Sequence, residues 1–230
     1  MMIFMTMTST DKRHSNGSWI FNPELFWEEP IIVIWCWWIG SPAIYYMSQM
    51  WCTNITIVDC DEIEEHNVAS QFYKQWDVGK LKVDALAENI EMFTWVQVKT
   101  INRFITKENP LDFSEYKLVV LAVDNMEARK NIVEMCSDVE WLTVIEWRMW
   151  WEVLQIYTFQ PFRDMEKWLN FWYSDEEALP DQCTFKSISY NTWCAWSVIA
   201  SKVARVLKWE DTSFVTNIDM KTMKVTNNNL

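Results

Sequence analysis

The chain has 230 residues, half of them hydrophobic and 23% charged, a balance that excludes a disordered chain and suffices for one large core. Its net charge of -12 at pH 7 repels phosphate backbones and anionic membranes, which argues against non-specific binding to nucleic acid or membrane. No apolar run approaches the roughly 18 residues needed to cross a bilayer. Met1–Thr10 lacks the basic-then-apolar order of a signal peptide, and the 6 cysteines form no C-x-x-C pair, so reduced thiols in a cytoplasmic protein are expected.

In chain order, the β-branched run Ile31–Ile34 predicts a buried parallel strand, and Ser41–Met50 predicts a helix with Pro42 in its first turn. Asn54–Val58 is a second strand ending in the acids Asp59, Asp61 and Glu62, and a helix is expected from about Gly79 to Met92. Val96–Ile101 and Lys117–Val123 read as the third and fourth strands, followed by a helix over Met126–Cys136 and a fifth strand at Leu142–Ile145. Strands alternating with helices imply a parallel sheet covered on both faces. Beyond it, Val153–Phe159 reads as a strand, Pro161–Gln182 as an acidic, aromatic excursion, and Asn191–Leu207 as a long helix. Ser213–Ile218 and Lys221–Val225 are expected to close as a hairpin.

One pair of numbers is abnormal: 3 glycines against 17 tryptophans, where average usage gives about 16 glycines. The first strand runs into W-C-W-W-I-G-S at Trp35–Ser41, and Trp51 opens W-C-T-N-I-T-I-V-D-C-D. With Trp35, Trp37, Trp38 and Trp51 read as glycine, these become G-C-G-G-I-G-S and G-C-T-N-I-T-I-V-D-C-D. That pattern resembles the nucleotide-binding loop of the ThiF/MoeB/HesA family and of ubiquitin-activating enzymes. The resemblance continues through D-E-I-E-E-H-N-V-A-S-Q-F (Asp61–Phe72), D-V-G-K-L-K (Asp77–Lys82), V-D-N-M-E-A-R (Val123–Arg129) and I-E-W-R-M-W-W-E (Ile145–Glu152). Several ordered motifs are far more specific than one glycine loop.

The resemblance implies a doubly wound, Rossmann-like α/β fold whose mostly parallel sheet ends in an antiparallel C-terminal edge. It implies a single domain over 1–230, with 1–29 an N-terminal extension and 161–189 a lid or crossover segment. The implied activity is ATP- and magnesium-dependent adenylation of the C-terminal carboxylate of a ubiquitin-like or sulfur-carrier protein ending in Gly-Gly. Trp35, Trp37, Trp38 and Gly40 then mark the phosphate turn, where a glycine-rich loop lets backbone amides reach phosphate at a helix N-terminus. Asp59, about 20 residues beyond the loop, suits ribose hydroxyls. By resemblance Asp61, Asn67, Gln71 and Asn125 complete the nucleotide pocket, Lys82 offsets phosphate charge, and Asp124 holds magnesium. Cys183 is the candidate thiol for a later covalent step, against the plainer reading of a buried small hydrophobe.

Each residue alone has a plain structural reading: Asp59 as the end of a strand, Asp124 and Asn125 as helix caps, Lys82 as a solvated helix lysine. Their order makes the joint functional reading stronger. Two departures stand out. Ser70 occupies the place where the family often has arginine, and one lost charge-stabilising donor costs on the order of 10²–10³ in rate; Arg13 is a candidate substitute, from its own chain or across a homodimer. The family's paired C-x-x-C motifs are missing, so structural zinc is not expected. The rival readings are an NAD-dependent oxidoreductase with Asp59 on ribose, disfavoured by D-V-G-K-L-K, and a catalytically idle scaffold for a ubiquitin-like partner.

The tryptophans themselves suggest UGA codons that the source reads as glycine. Trp147, Trp150, Trp151, Trp193 and Trp196 also fall where glycine reads naturally, whereas Trp168 and Trp172 sit among aromatic neighbours and stand as genuine. Side chains of about 150–250 Å² at 35, 37 and 38 would fill the phosphate turn.

Overall fold

The structure is a computed structural model that describes residues 27–37, 40–69, 71–150, 152–177, 189–210 and 212–229. Its elements are β1 (Ile31–Ile34), α1 (Gly40–Gln49), β2 (Ile55–Val58), α2 (Lys82–Thr94), β3 (Lys99–Ile101), β4 (Leu118–Leu121) and α3 (Met126–Cys136). The second half adds β5 (Thr143–Trp150), β6 (Val153–Phe159), α4 (Pro161–Leu169), α5 (Ser189–Leu207), β7 (Val215–Asp219) and β8 (Lys224–Asn228).

All strands join one sheet in the order β3-β2-β1-β4-β5-β6-β7-β8. The first five are parallel, and β5 to β8 pair antiparallel. Every residue of β1, β2 and β4 is buried, because helices cover both sheet faces and leave no side of the strand for water. Alternate residues feed two cores. Ile31, Val33, Ile55, Ile57, Leu118 and Val120 meet α1, α2 and α5 on one face. Ile32, Ile34, Val119 and Leu121 meet α3 and the Trp168 end of α4 on the other. The doubly wound, Rossmann-like reading is therefore correct, including its antiparallel C-terminal edge.

Several expected boundaries move for identifiable reasons. The helix expected from about Gly79 begins at Lys82, because Gly79 takes a left-handed φ of 87°. Residues 79–81 instead pair with the chain after β2: Gly79 N–H donates to Ile63 O, Ile63 N–H to Lys80 O, and Glu62 bridges Leu81. The third strand shrinks from Val96–Ile101 to Lys99–Ile101, since α2 runs on to Thr94 and Val96 is spent in the core beneath it. The fifth strand extends from Ile145 to Trp150 because β6 pairs with it along its whole length. Part of the expected excursion is a helix, α4, with Pro161 in its first turn and Trp168 wholly buried. The terminal hairpin forms, shifted to β7 and β8.

Candidate functional site

In a doubly wound sheet, ligands bind beyond the carboxyl ends of the strands where the strand order reverses. Here that point lies between β1 and β4, neighbours in the sheet although far apart in sequence. Three connections meet there: the turn after β1, the acidic segment after β2, and the Val123–Asn125 link from β4 to α3. Gly40, the first residue of α1, packs so closely on this turn that a Cβ on it would lie 1.9 Å from Trp35 O. The same ideal Cβ would lie 3.7 Å from Ala122 Cβ, so β4's end abuts the start of α1.

Asp59 follows β2 and is buried, with both carboxylate oxygens engaged: Cys36 N–H donates to Oδ2 at 2.7 Å and Asp61 N–H to Oδ1 at 2.8 Å. Burial pushes the Asp59 carboxyl above its usual range, against the opposing pull of Lys82 and those two N–H groups. Tyr73 O–H donates to Cys36 O at 2.7 Å, so the turn after β1 is held on both sides. Burial, reinforced by Asp59, also raises the Cys36 thiol well above its ordinary value, which leaves it an inert core group.

Lys82 opens α2 beside this acidic segment. The backbone bridge at 62 and 81 carries it there, and its Nζ reaches Asp61 Oδ2 at 2.7 Å. The lysine side chain is only 4% exposed while Asp61 is 42% exposed, so the ammonium lies under a carboxylate that faces water. The turn that delivers it is stiffened by Asp77, which is buried and accepts Lys74 N–H, Lys80 Nζ and Asn89 Nδ2. The motif D-V-G-K-L-K thus has a local physical meaning: Asp77 fixes the turn, Gly79 supplies its left-handed residue, and Lys82 points inward.

Asn67 is spent locally, its Oδ1 accepting Glu64 N–H in a one-turn 3-10 helix over Glu65–Asn67. Gln71 differs. It is buried, and neither its Nε2 nor its Oε1 has a hydrogen-bond partner among the described residues. The next residue is tied to the start of α1 by Phe72 N–H donating to Ser41 Oγ at 3.2 Å. A buried amide left unpaired is costly, and a ligand with polar edges would satisfy it.

Asp124 and Asn125 lie exposed at the end of β4. Asn125 caps α3, its Oδ1 accepting Ala128 N–H at 2.8 Å. Asp175, 49 residues away in sequence, adds a carboxylate at the same helix end and accepts Met126 N–H at 2.9 Å and Glu127 N–H at 3.3 Å. Trp172 Nε1 donates to Met126 O at 3.0 Å. The segment after α4 is therefore strapped across the start of α3, beside Asp124.

The turn itself is full. The Trp35 ring lies edge-on to Phe104 with centroids 5.6 Å apart, and the Trp37 ring sits 5.7 Å from Lys82 Nζ. Between Trp35, Asp59, Arg103 and Val123 the cleft retains room for about 10 Å³ of solvent, roughly one water molecule. Asp124 offers an exposed carboxylate and Gln71 an unused amide, while the Trp35 and Trp37 indoles stand on the turn where a glycine-rich loop would leave its backbone amides open. Trp38, Ser70, Arg13 and Cys183 lie outside the described residues.

A second polar centre went unread in the sequence. Glu146 on β5 is wholly buried between Arg129 Nη1 at 3.2 Å, Arg148 Nε at 2.6 Å and Trp168 Nε1 at 2.5 Å. An acid and an arginine two residues apart in an apolar strand, Glu146 and Arg148, were the available signal, since both project to one face.

Fold and cleft together define a Rossmann-like α/β protein with its ligand edge at the β1–β4 switch point. The ThiF family pattern matches residues 31–147, just over half of the sequence, and the chain belongs to the ThiF family. Among solved structures it is similar to E. coli MccB with AMPCPP and MccA, at TM-score 0.73 and 14% identity, over 96% of this chain and 72% of that one. PaaA matches at TM-score 0.69 and 14% identity, over 90% of this chain and 65% of its own. E. coli MccB with ATP matches at TM-score 0.69 and 15% identity, with the same coverages of 90% and 65%. The chain thus spans about two thirds of the length of these proteins, and at such identities the likeness is one of fold. No curated protein matches the sequence.

Proposed function

We propose that this protein, in its glycine-bearing form, is an ATP-dependent adenylyltransferase that activates the C-terminal carboxylate of a small ubiquitin-like or sulfur-carrier protein. The observation that carries the reading is the buried Lys82 ammonium held beside Asp61 at the start of α2, with the unpaired Gln71 amide next in sequence to Phe72, whose N–H is tied to Ser41 at the start of α1. Family membership and the fold shared with MccB, a protein crystallised with ATP and with MccA, support it.

In this reading the carrier carboxylate oxygen attacks the ATP α-phosphorus. The bond from that phosphorus to the bridging oxygen breaks, and pyrophosphate leaves with the electron pair. Lys82 exchanges Asp61 for phosphate oxygens and offsets their charge where water is scarce. Asp59 orients the ribose, and Gln71 satisfies its amide on the ligand. Asp124 would hold magnesium, whose part is to neutralise phosphate charge. The Asp175 strap holds the segment after α4 beside Asp124. Ser70 shifts the missing phosphate charge to another group, and Arg13 of a second copy is our candidate.

ATP–pyrophosphate exchange tests this. The chain with glycine at 35, 37, 38 and 51 should exchange label only when a Gly-Gly-ended carrier is present, and Lys82→Ala or Asp124→Ala should remove the activity. Full exchange in both variants would refute the site. A second reading, an idle scaffold for such a partner, is favoured by the Trp35 and Trp37 rings in the cleft. Carrier binding without exchange in the glycine-bearing chain would establish it.

A further inference from the structure

The disagreement between a nucleotide-type edge and a turn filled by indoles has a backbone signature that extends well beyond the cleft. Among described residues, the non-glycine positions with positive φ are Trp35 (80°), Trp51 (65°), Trp95 (64°), Trp209 (59°) and Met223 (54°). A left-handed conformation is uncommon for any residue with a Cβ and an outlier for a bulky one. Four of these five are tryptophan, a residue with no tendency toward that region.

Three of the four terminate helices in the geometry that glycine serves. After α1, Trp51 N–H donates to Ser48 O at 3.0 Å and Cys52 N–H to Met47 O at 3.1 Å. After α5 the same pair recurs: Trp209 N–H donates to Val206 O at 3.0 Å and Glu210 N–H to Arg205 O at 2.9 Å. Both are Schellman motifs, whose left-handed residue is usually glycine. α2 ends in the simpler form, Trp95 N–H donating to Glu91 O at 2.9 Å. Trp95 and Trp209 are each 75% exposed, so neither buries the area a large aromatic residue contributes to a core, although Lys117 Nζ lies 4.3 Å over the Trp209 ring. The fourth, Trp35, bends the chain between β1 and α1, where Gly40 meets its carbonyl with no room for a Cβ.

Not every tryptophan behaves this way. Trp168 is wholly buried, stacked on Phe159 at 5.8 Å, and donates to Glu146. Trp172 donates to Met126 O and carries Lys130 Nζ at 4.6 Å over its ring. Neither residue is among the left-handed positions, and each donates an indole hydrogen bond that glycine would remove.

We infer that the functional protein carries glycine at positions 35, 51, 95 and 209, placed there by a translation system that reads as glycine the UGA codons rendered here as tryptophan, and that it keeps tryptophan at 168 and 172. The inference stands apart from the adenylation reading, because backbone geometry and helix ends carry it without any nucleotide. Glycine at 35 would open the slot between Asp59, Arg103 and Val123 toward the surface.

Peptide mass spectrometry of the protein from its native host tests the assignment. Glycine at 51, 95 and 209 with tryptophan at 168 and 172 is the expected result; tryptophan at 51, 95 and 209 overturns it. A second measurement needs no native material. The recombinant full chain with Trp35→Gly, Trp51→Gly, Trp95→Gly and Trp209→Gly should melt on the order of 10 °C higher than the tryptophan chain, through relief of four left-handed side chains. Trp168→Gly should melt lower. An unchanged or lowered melting temperature in the fourfold variant would count against glycine at these positions.

Discussion

Replacing Glu146 with glutamine tests the buried charge cluster most directly. The substitution keeps the shape and removes the only carboxylate among described residues that contacts Arg129 and Arg148, whose side chains are 5% and 7% exposed. Two guanidinium groups are then left in the interior without their counter-charge. Breaking a buried pair in this way costs about 3–5 kcal/mol. At roughly 2–4 °C per kcal/mol for a chain of this size, Glu146→Gln should melt about 10 °C lower at pH 7. The pH dependence carries a second check. Burial pushes the Glu146 carboxyl up, but Arg148 and Arg129 more than offset this and hold it below its ordinary value of 4.5. A carboxyl lowered in the folded state stabilises fully above its unfolded pKa and loses that contribution as pH falls through its folded one. The gap between parent and variant should therefore be constant from about pH 6 to 8 and close only below about pH 4.5. Scanning calorimetry across this range reads both quantities. A gap under about 2 °C at pH 7, or one that persists undiminished at pH 3, would refute the reasoning.

Asn125→Ala removes the Ala128 N–H acceptor at the start of α3 and should cost about 1 kcal/mol in urea unfolding; no measurable loss would show that Asp175 alone caps the helix. Trp35→Gly, Trp37→Gly and Trp38→Gly together should tighten ATP binding, read by calorimetry, over that of the tryptophan chain, and unchanged affinity would remove the cleft from the nucleotide reading. Cys183→Ala should keep pyrophosphate exchange yet lose a thiol-sensitive carrier conjugate on a non-reducing gel, and a conjugate that survives the substitution would eliminate this cysteine as the nucleophile.

The inner sheet was legible in the sequence because strands buried on both faces leave an unmistakable β-branched signal, as at Ile31–Ile34 and Leu118–Leu121. Val153–Phe159 is legible to the residue for a different reason: Gln160 and Pro161 end the strand abruptly. α4 is not legible in the sequence because Pro161 and the acidic, aromatic stretch that follows read as a turn, and only packing shows that Trp168 faces inward. In the site, order along the chain brought out Asp59, Lys82 and Gln71 as candidates. Sequence gave no access to the Lys82–Asp61 contact, which depends on the 62–81 bridge folding a loop back on itself. Nor did it separate Asn67, whose side chain closes its own turn, from Gln71, whose amide is unspent. Trp95 and Trp209 escaped notice because a glycine required by φ alone belongs to no motif.

The placement of β1 between β2 and β4 also sets an order of assembly. Ile31 pairs with Ile55 after one short crossover, but its other edge meets Leu118 only after most of the next hundred residues exist. On a ribosome, β1 and β2 therefore emerge as two strands destined for full burial, apolar but for Thr56, with one edge open until β4 follows. Long-range parallel pairing is slow because loop closure must precede its reward. An open apolar edge meanwhile is a template for a neighbouring chain. Yield of soluble protein should thus respond to synthesis rate and temperature more steeply than the stability of the finished fold would suggest, with slower elongation favouring capture of β1 by its own β4.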